Sequence, residues 1–178
     1  MTHAVTLRLD DGAAGRVSLL RQALMRTGGG SAVAPNYPPH VTLALLPDGV
    51  AEPAVRTAVA GWEALPVSLA GLAVFPGVPP VVWAVPVVTE ALLARHAALT
   101  EALAPCPVHP YYRVGAWVPH VTLSLAGGLD AGAAIGVAAE AWTGPVGGWL
   151  DRVELVELAP LRLAWGMALP RPRPRLGG

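Results

Sequence analysis

The stretch PHVTLAL, residues 39–45, recurs with one change as PHVTLSL at residues 119–125. Each copy is rich in β-branched and apolar residues and follows a proline, which predicts a strand that begins just after the proline. Because side chains alternate along a strand, one face should carry His40, Thr42, His120, Thr122 and Ser124. The opposite, core-facing set should be Val41, Leu43, Leu45, Val121, Leu123 and Leu125. A lone histidine on an apolar strand is usually structural, but two copies of the same pattern favour a functional site.

Other landmarks recur in step with these strands. Trp62 follows His40 at the same distance as Trp142 follows His120. A strand near residues 5–9 leads into a helix capped by Asp10 or Asp11, and later helices have Thr89 and Asp130 as caps. In the first helix, Val17, Leu20 and Leu24 form the apolar stripe, Arg16, Arg21 and Arg26 should stay in solvent, and glycines 28–30 should end the helix before an irregular loop at residues 31–39.

This duplication of a unit of about 80 residues predicts an α+β fold. We expect a bilobal arrangement of duplicated β/α units, with two mainly antiparallel sheets around a central groove and pseudo-two-fold symmetry. Residues 1–170 should form a single bilobal domain. The Arg/Pro segment 171–178 cannot continue a strand and should be a flexible tail.

The composition limits the range of functions. The net charge is zero and only 13% of the 178 residues are charged, so no general electrostatic surface for long nucleic acid or an acidic membrane is expected. The single Cys106 and the absence of a signal-like N-terminus indicate a cytoplasmic protein without a structural zinc site. Prolines interrupt the longest uncharged run, residues 64–89, which argues against a membrane span. No obligate protein partner is evident, and we expect a monomer.

Two His-x-Thr motifs at this spacing resemble those of the 2H phosphoesterase superfamily, which includes the 2'-5' RNA ligases and 2',3'-cyclic phosphodiesterases. The lead-in YRVGAWVPH at residues 112–120 and the segment GLAVFP at residues 71–76 are similar to that family's RNA-ligase-like branch. The resemblance spans roughly residues 4–169. It implies that His40, Thr42, His120 and Thr122 line a central groove, with a nucleotide or an RNA terminus as substrate.

Two facing imidazoles suit phosphodiester chemistry, because one can remove a proton from the attacking oxygen while the other protonates the leaving oxygen. Thr42 and Thr122 can donate hydrogen bonds to the non-bridging phosphate oxygens. Neither motif has a carboxylate or cysteine at a short ligand spacing, so neither a metal nor another cofactor is expected.

Other candidate residues lie in the loops before the motifs. Arg113 could bind a phosphate or could be a surface arginine. Tyr37, Tyr112 and Trp117 could stack on a base, or they could pack at the ends of the loops. His96 lies on the apolar stripe of a helix and is interpreted as structural.

The leading prediction is a metal-independent phosphoesterase that hydrolyses 2',3'-cyclic phosphate or 2'-5' phosphodiester bonds of nucleotides or RNA ends, and so takes part in RNA processing. The alternatives are 2'-5' RNA ligase activity and a non-catalytic module that binds nucleotides or RNA ends on the same fold. The sparse basic residues favour hydrolysis of small substrates over the joining of long RNA.

Overall fold

The computed structural model describes residues 2–26, 37–47 and 52–172, so glycines 28–30, residues 31–36 of the predicted loop and residues 173–178 of the predicted tail lie outside it. Within these ranges the elements follow one another as β1 His3–Leu9, α1 Asp11–Arg26, β2 His40–Leu46, α2 Glu52–Ala58, β3 Leu65–Phe75, β4 Val81–Pro86, α3 Glu90–Ala102, β5 Val121–Leu125, α4 Ala131–Ala141, β6 Val146–Leu158 and β7 Leu161–Ala168. A 3₁₀ turn, Pro110–Tyr112, precedes β5.

The element order repeats, since β1-α1-β2-α2-β3 is followed by β4-α3-β5-α4-β6. The pairing repeats as well. Strand β1 lies between β2 and β6, and its counterpart β4 lies between β5 and β3, with every pair antiparallel. Each His-x-Thr strand, β2 or β5, is therefore the outer strand of its half. The predicted α+β class and the duplicated, mainly antiparallel halves are confirmed.

The two halves meet in the long strand β6. On one edge of β6, residues 150–157 pair with β1. On the opposite edge, residues 146–150 pair with β3 and residues 152–158 pair with β7. The two sheets expected from the sequence therefore share β6, which makes one seven-stranded hydrogen-bonded sheet. A strand of 13 residues is long enough to serve both halves in succession.

Both His-x-Thr strands contain a β-bulge at the same place. Val5 pairs with Ala44 and Thr6 with Thr42, which leaves Leu43 without an opposite residue, and in the second half Leu123 is skipped in the same way. A bulge reverses the alternation of faces beyond it. The face prediction is therefore wrong beyond the bulge: Ser124 is buried, whereas Leu45 and Leu125 are only partly buried.

The predicted helix caps are confirmed. The Asp10 carboxylate accepts a hydrogen bond from Ala13 N at 2.8 Å, Thr89 Oγ1 accepts one from Leu92 N at 3.2 Å and Asp130 accepts one from Ala133 N at 2.8 Å. Side-chain oxygens at these positions satisfy amide groups that the first turn of a helix leaves unpaired. The predicted apolar stripe of α1, Val17, Leu20 and Leu24, is buried. In the described part of the chain, no helix is long and apolar enough to cross a membrane.

Candidate active site

The two motif histidines are held in the same way. His40 is the first residue of β2 and His120 directly precedes β5. In each ring Nδ1 is 2.8 Å from the carbonyl oxygen two residues earlier, of Pro38 or of Val118. Because a carbonyl only accepts hydrogen bonds, Nδ1 must carry the proton, and Nε2 is left to exchange a proton with a bound substrate.

The outer strands β2 and β5 are not hydrogen-bonded to each other, yet their Cα atoms come within 8 Å. The sheet is therefore curled, which brings the two motif strands next to each other in space. His120 lies close enough for its charge to lower the pKa of His40. Thr42 and Thr122 are both partly buried and follow their histidines by one strand repeat, so each shares its histidine's face.

Polar groups surround His40. The ring of Tyr37 lies 4.6 Å from the His40 ring, and its hydroxyl donates to Glu154 Oε2 at 2.8 Å. The Thr6 hydroxyl lies 2.7 Å from the same tyrosine oxygen, and Arg8 Nη1 donates to Glu154 Oε1 at 3.0 Å. Arg8 is the cross-strand partner of His40, and such partners share a face of the sheet. The buried Glu154 carboxylate therefore connects two neighbours of His40.

Both imidazoles favour the neutral form in the free protein. Burial is the largest cause that lowers the pKa of His40 to about 4, the carbonyl of Pro38 opposes the shift, and the charges of Arg21, His120 and Arg8 add to it. Burial also lowers the pKa of His120, against the effect of the Val118 carbonyl. A bound phosphate would reverse these effects in part, because an anion next to an imidazole stabilises its charged form.

Aromatic groups surround His120. The Phe75 ring lies edge-on at 5.1 Å and the Trp83 ring at 5.9 Å from the His120 ring, and Phe75 is stacked on Trp83. A groove next to His120 holds about 510 Å³ and is lined by Phe75, Pro76, Val81, Tyr111, Tyr112, Ala116, Val118 and His120. Trp83 pairs with Thr122 in the second half, and Thr6 pairs with Thr42 in the first. The position opposite the motif threonine is therefore aromatic in the second half and polar in the first.

Among the weaker sequence candidates, Tyr112 is the one that lines the groove. Burial raises the pKa of its hydroxyl, and an interaction with the Thr42 side chain opposes this shift. Tyr37 contacts His40, but its hydroxyl is engaged by Glu154. The guanidinium of Arg113, an exposed residue, donates from Nε to Val108 O of its own loop at 3.4 Å. A substrate-binding role for these residues stays a prediction.

Trp117 packs inside the protein rather than at the groove lining. Its ring stacks on His96 at 4.0 Å, and its Nε1 donates to Thr42 O at 2.9 Å. His96 is buried, and its Nε2 lies 2.9 Å from Tyr112 O. These contacts agree with the structural interpretation of His96, and they favour packing over base stacking for Trp117.

Sequence reasoning missed Arg21, which was expected to stay in solvent. Its Nε and Nη2 donate to Thr122 O at 3.1 and 2.7 Å, and its Nη1 donates to Tyr37 O at 3.3 Å. Burial lowers its pKa to about 10, which leaves it charged at neutral pH. The prediction is wrong because Arg21 lies four residues after Val17 and three before Leu24, so it borders the buried stripe of α1. That spacing was the available signal.

Potential metal ligands do not gather in the described part of the chain, where no group of three His, Cys, Asp or Glu residues could hold a metal ion. Of the motif residues, His120 lines the groove, and catalytic roles for His40, Thr42, His120 and Thr122 stay a prediction.

Residues 47–159 match the family model of the 2'-5' RNA ligase superfamily. The chain belongs to this superfamily. The matched residues include His120 and Thr122, while the first motif precedes them. The family model therefore does not cover His40. The duplication and the shared Nδ1 geometry are the observations that relate His40 to His120. No sequence among the curated proteins matches the chain.

Several solved structures share the fold of this superfamily member over nearly its whole length. TT0787 of Thermus thermophilus has a TM-score of 0.69 and 17% identity, covering 97% of this chain and 100% of its own. E. coli LigT complexed with 3'-AMP has a TM-score of 0.64 and 16% identity, covering 94% and 97%. Usb1 of Kluyveromyces marxianus has a TM-score of 0.51 and 15% identity, covering 95% and 97%. The resemblance to the 2H phosphoesterase superfamily is thus confirmed at the level of family and fold.

Proposed function

We propose that this superfamily member is a metal-independent phosphoesterase that hydrolyses 2',3'-cyclic phosphate or 2'-5' phosphodiester bonds of nucleotides or RNA ends. The observation that carries the proposal is the matched pair of imidazoles, each with Nδ1 bound to the carbonyl oxygen two residues earlier. This geometry leaves the Nε2 atom of each ring available for proton transfer. Each well-placed acid or base typically contributes about 10²–10⁴-fold to the rate.

In the proposed reaction on a cyclic phosphate, His40 is the base and His120 the acid. Neutral His40 Nε2 removes a proton from water while the water oxygen bonds to phosphorus. The bond from phosphorus to one ribose oxygen breaks, and protonated His120 Nε2 gives that oxygen a proton. Arg8 and Arg21 both disfavour a proton on His40, which suits it to the role of the base.

Thr42 and Thr122 are proposed to stabilise the negative charge that develops on the non-bridging phosphate oxygens. Their hydroxyls can donate hydrogen bonds at fixed positions, and losing one such donor typically costs about 10²–10³-fold in kcat. Tyr112, whose side chain interacts with that of Thr42, lies next to this donor.

The groove favours a small substrate with an aromatic base. Its apolar end next to His120, with Phe75, Tyr111 and Tyr112, can stack on a planar ring. Structures of E. coli LigT, a protein with the same fold, have been determined with 3'-AMP, ATP and NADP+, which supports a nucleotide as the ligand here. Because net charge is zero and Lys is absent, a long RNA would meet little attraction.

The test is incubation of the purified protein with 2',3'-cyclic nucleotides and 2'-5' dinucleotides in the presence of EDTA. The variants H40N and H120N should each lose at least about 10²-fold in kcat/KM. The variant H109N is the matched control, because His109 lies outside both motifs and does not line the groove, and Asn keeps a side-chain acceptor for Tyr111 N. Absence of turnover, activity that requires added metal, or active motif variants would each contradict the proposal.

The same groove could carry out ligation if a 5'-hydroxyl of RNA replaced water as the attacking group, and the match to the 2'-5' RNA ligase superfamily motivates that assay. RNA halves with a 2',3'-cyclic phosphate and a 5'-hydroxyl are therefore supplied in a parallel reaction. Joined product in excess of hydrolysed ends would assign ligation instead. Binding with less than one product per protein molecule would assign the non-catalytic alternative.

A further inference from the structure

The threonine carbonyl of each motif accepts a hydrogen bond from a side chain of the opposite half. Thr42 O, in the first half, accepts from Trp117 Nε1 at 2.9 Å. Thr122 O, in the second half, accepts from Arg21 Nη2 at 2.7 Å and Nε at 3.1 Å. Because β2 and β5 are outer strands, these carbonyls have no further strand to pair with. Each half thus provides the hydrogen-bond donor for a backbone carbonyl in the motif strand of the other half.

Arg21 also reaches the segment before the first motif. Its Nη1 donates to Tyr37 O at 3.3 Å, three residues before His40, while its other two nitrogens hold the strand that follows His120. One partly buried guanidinium therefore joins the backbone around both histidines. Helix α1, which carries Arg21, packs against β5 rather than only against its own half.

We propose that Arg21 and Trp117 form a reciprocal clasp, a pair of positioning residues that set the separation of His40 and His120. The clasp rests on the proposed phosphoesterase function, and neither residue is assigned a contact with the substrate. Removal of either side chain would leave a backbone carbonyl unpaired and let the motif strands shift relative to each other.

The contacts behind each side chain make the clasp rigid. The Trp117 ring is stacked at an interplanar angle of 9° on His96, which in turn is bonded to Tyr112 O. Arg21 makes three hydrogen bonds from a planar group, so its orientation is fixed. Rigid placement matters here because acid and base must both reach one phosphorus atom, and a misplacement of about 1 Å can cost roughly 10²-fold in rate.

The test compares R21M, R21K and W117F with R16M. Arg16 lies on the same helix and donates to Gly147 O, away from both motifs, so R16M controls for loss of an arginine from α1. W117F keeps an aromatic ring against His96 but removes the N–H donor. We expect R21M to lose roughly 10²-fold in kcat with little change in KM. The kcat of W117F should also be lower than that of the wild type. The kcat of R21K should lie between those of R21M and the wild type.

A second readout separates the clasp from a general loss of stability. Proton NMR titration of the ring resonances should show a higher pKa for His40 in R21M, because a nearby positive charge is gone, and an unchanged value in R21K and R16M. The other charged or titratable groups that act on His40 are Arg8 and His120. R21M and W117F with the kcat of R16M would overturn the clasp.

The two proposals can fail separately. If the wild-type protein turns over no cyclic nucleotide or 2'-5' substrate, the proposed function fails. Inorganic phosphate then probes the clasp, since it should shift both imidazole resonances in the wild type. Its affinity should fall about tenfold in R21M and W117F, but not in R16M, if one anion must reach two correctly spaced rings. Equal affinities would refute the clasp whatever the activity.

Discussion

His40 and His120 occupy the same position in two copies of one motif, yet their neighbours differ. Next to His40, Thr6 belongs to a polar network with Tyr37 and Glu154, whereas Trp83 fills the equivalent position next to His120. The motif repeats because both imidazoles need the same backbone support. In the proposed mechanism the surroundings diverge because His40, the base, and His120, the acid, need different environments.

The pH dependence of kcat/KM follows from these environments. In the proposed mechanism His40 must be neutral, which holds above a pKa of about 4, and His120 must be protonated, which holds below its own pKa, also lowered by burial. Activity of the free enzyme should therefore follow a bell with its maximum below pH 6.5, the ordinary pKa of histidine. The profile of kcat should lie at higher pH, because the bound phosphate anion raises both values. A kcat/KM maximum above pH 7.5 would contradict this assignment.

The stability of the protein should depend on His40 as well. Its pKa is lower in the folded state than the ordinary 6.5, so between about pH 4 and 6.5 the unfolded chain binds more protons. The free energy of unfolding should be highest above pH 6.5. It should decrease by on the order of 1–3 kcal/mol as the pH is lowered from 6.5 to about 4. Urea unfolding at several pH values measures the slope. The H40N variant should lose this contribution, and H109N should keep it.

At the scale of helices and strands, much of the fold could be predicted because its signals are local. The strands after Pro39 and Pro119 follow from composition, and the caps Thr89 and Asp130 follow from residue type and position. The bulges at Leu43 and Leu123 could not be predicted, because a leucine fits a regular strand equally well and the register is set by β1 and β4. Leu45 and Leu125 were consequently assigned to the wrong face.

Asp10 should contribute more stability than an ordinary cap. Its Oδ1 accepts from Ala13 N at 2.8 Å, and its Oδ2 accepts from Trp149 N at 3.1 Å, so it joins the start of α1 to β6. D10A should therefore cost about 2–3 kcal/mol in the free energy of unfolding, since a cap and a partly buried amide both lose their partner. D130A, which removes a simple exposed cap, should cost about 1 kcal/mol. Equal losses in urea unfolding would show that the Asp10–Trp149 bond adds nothing.

At the scale of the whole molecule, the candidate site depends on contacts that are distant in sequence. The repeated motif predicts His40, Thr42, His120 and Thr122, because the His and Thr of each pair are only two residues apart in the sequence. Glu154 and Arg21 enter the site through the pairing of β6 with β1 and the packing of α1 against β5. No local pattern encodes either arrangement. The shared strand β6 was likewise beyond prediction, since a strand's partners are chosen by tertiary packing.

Because β6 belongs to both halves, disturbing its contact with α1 should destabilise the whole protein at once. A Cβ at Gly148 would lie 2.5 Å from Ala13 Cβ and 3.2 Å from Asp10 Oδ1, whereas one at Gly147 meets nothing within 4 Å. G148A should therefore lower the free energy of unfolding by about 1–3 kcal/mol, because helix and strand must move apart. The neighbouring G147A is the matched control and should change stability by less than about 0.5 kcal/mol.

Tryptophan fluorescence and far-UV circular dichroism, followed during urea unfolding of both glycine variants, test the shared strand directly. If β6 couples the halves, G148A should move the midpoint of both signals together, as one cooperative transition. Trp62 lies in the first repeat and Trp142 in the second, so the fluorescence reports on both. Separate transitions in G148A, or a G148A protein as stable as G147A, would mean that the halves fold independently of their contact at β6.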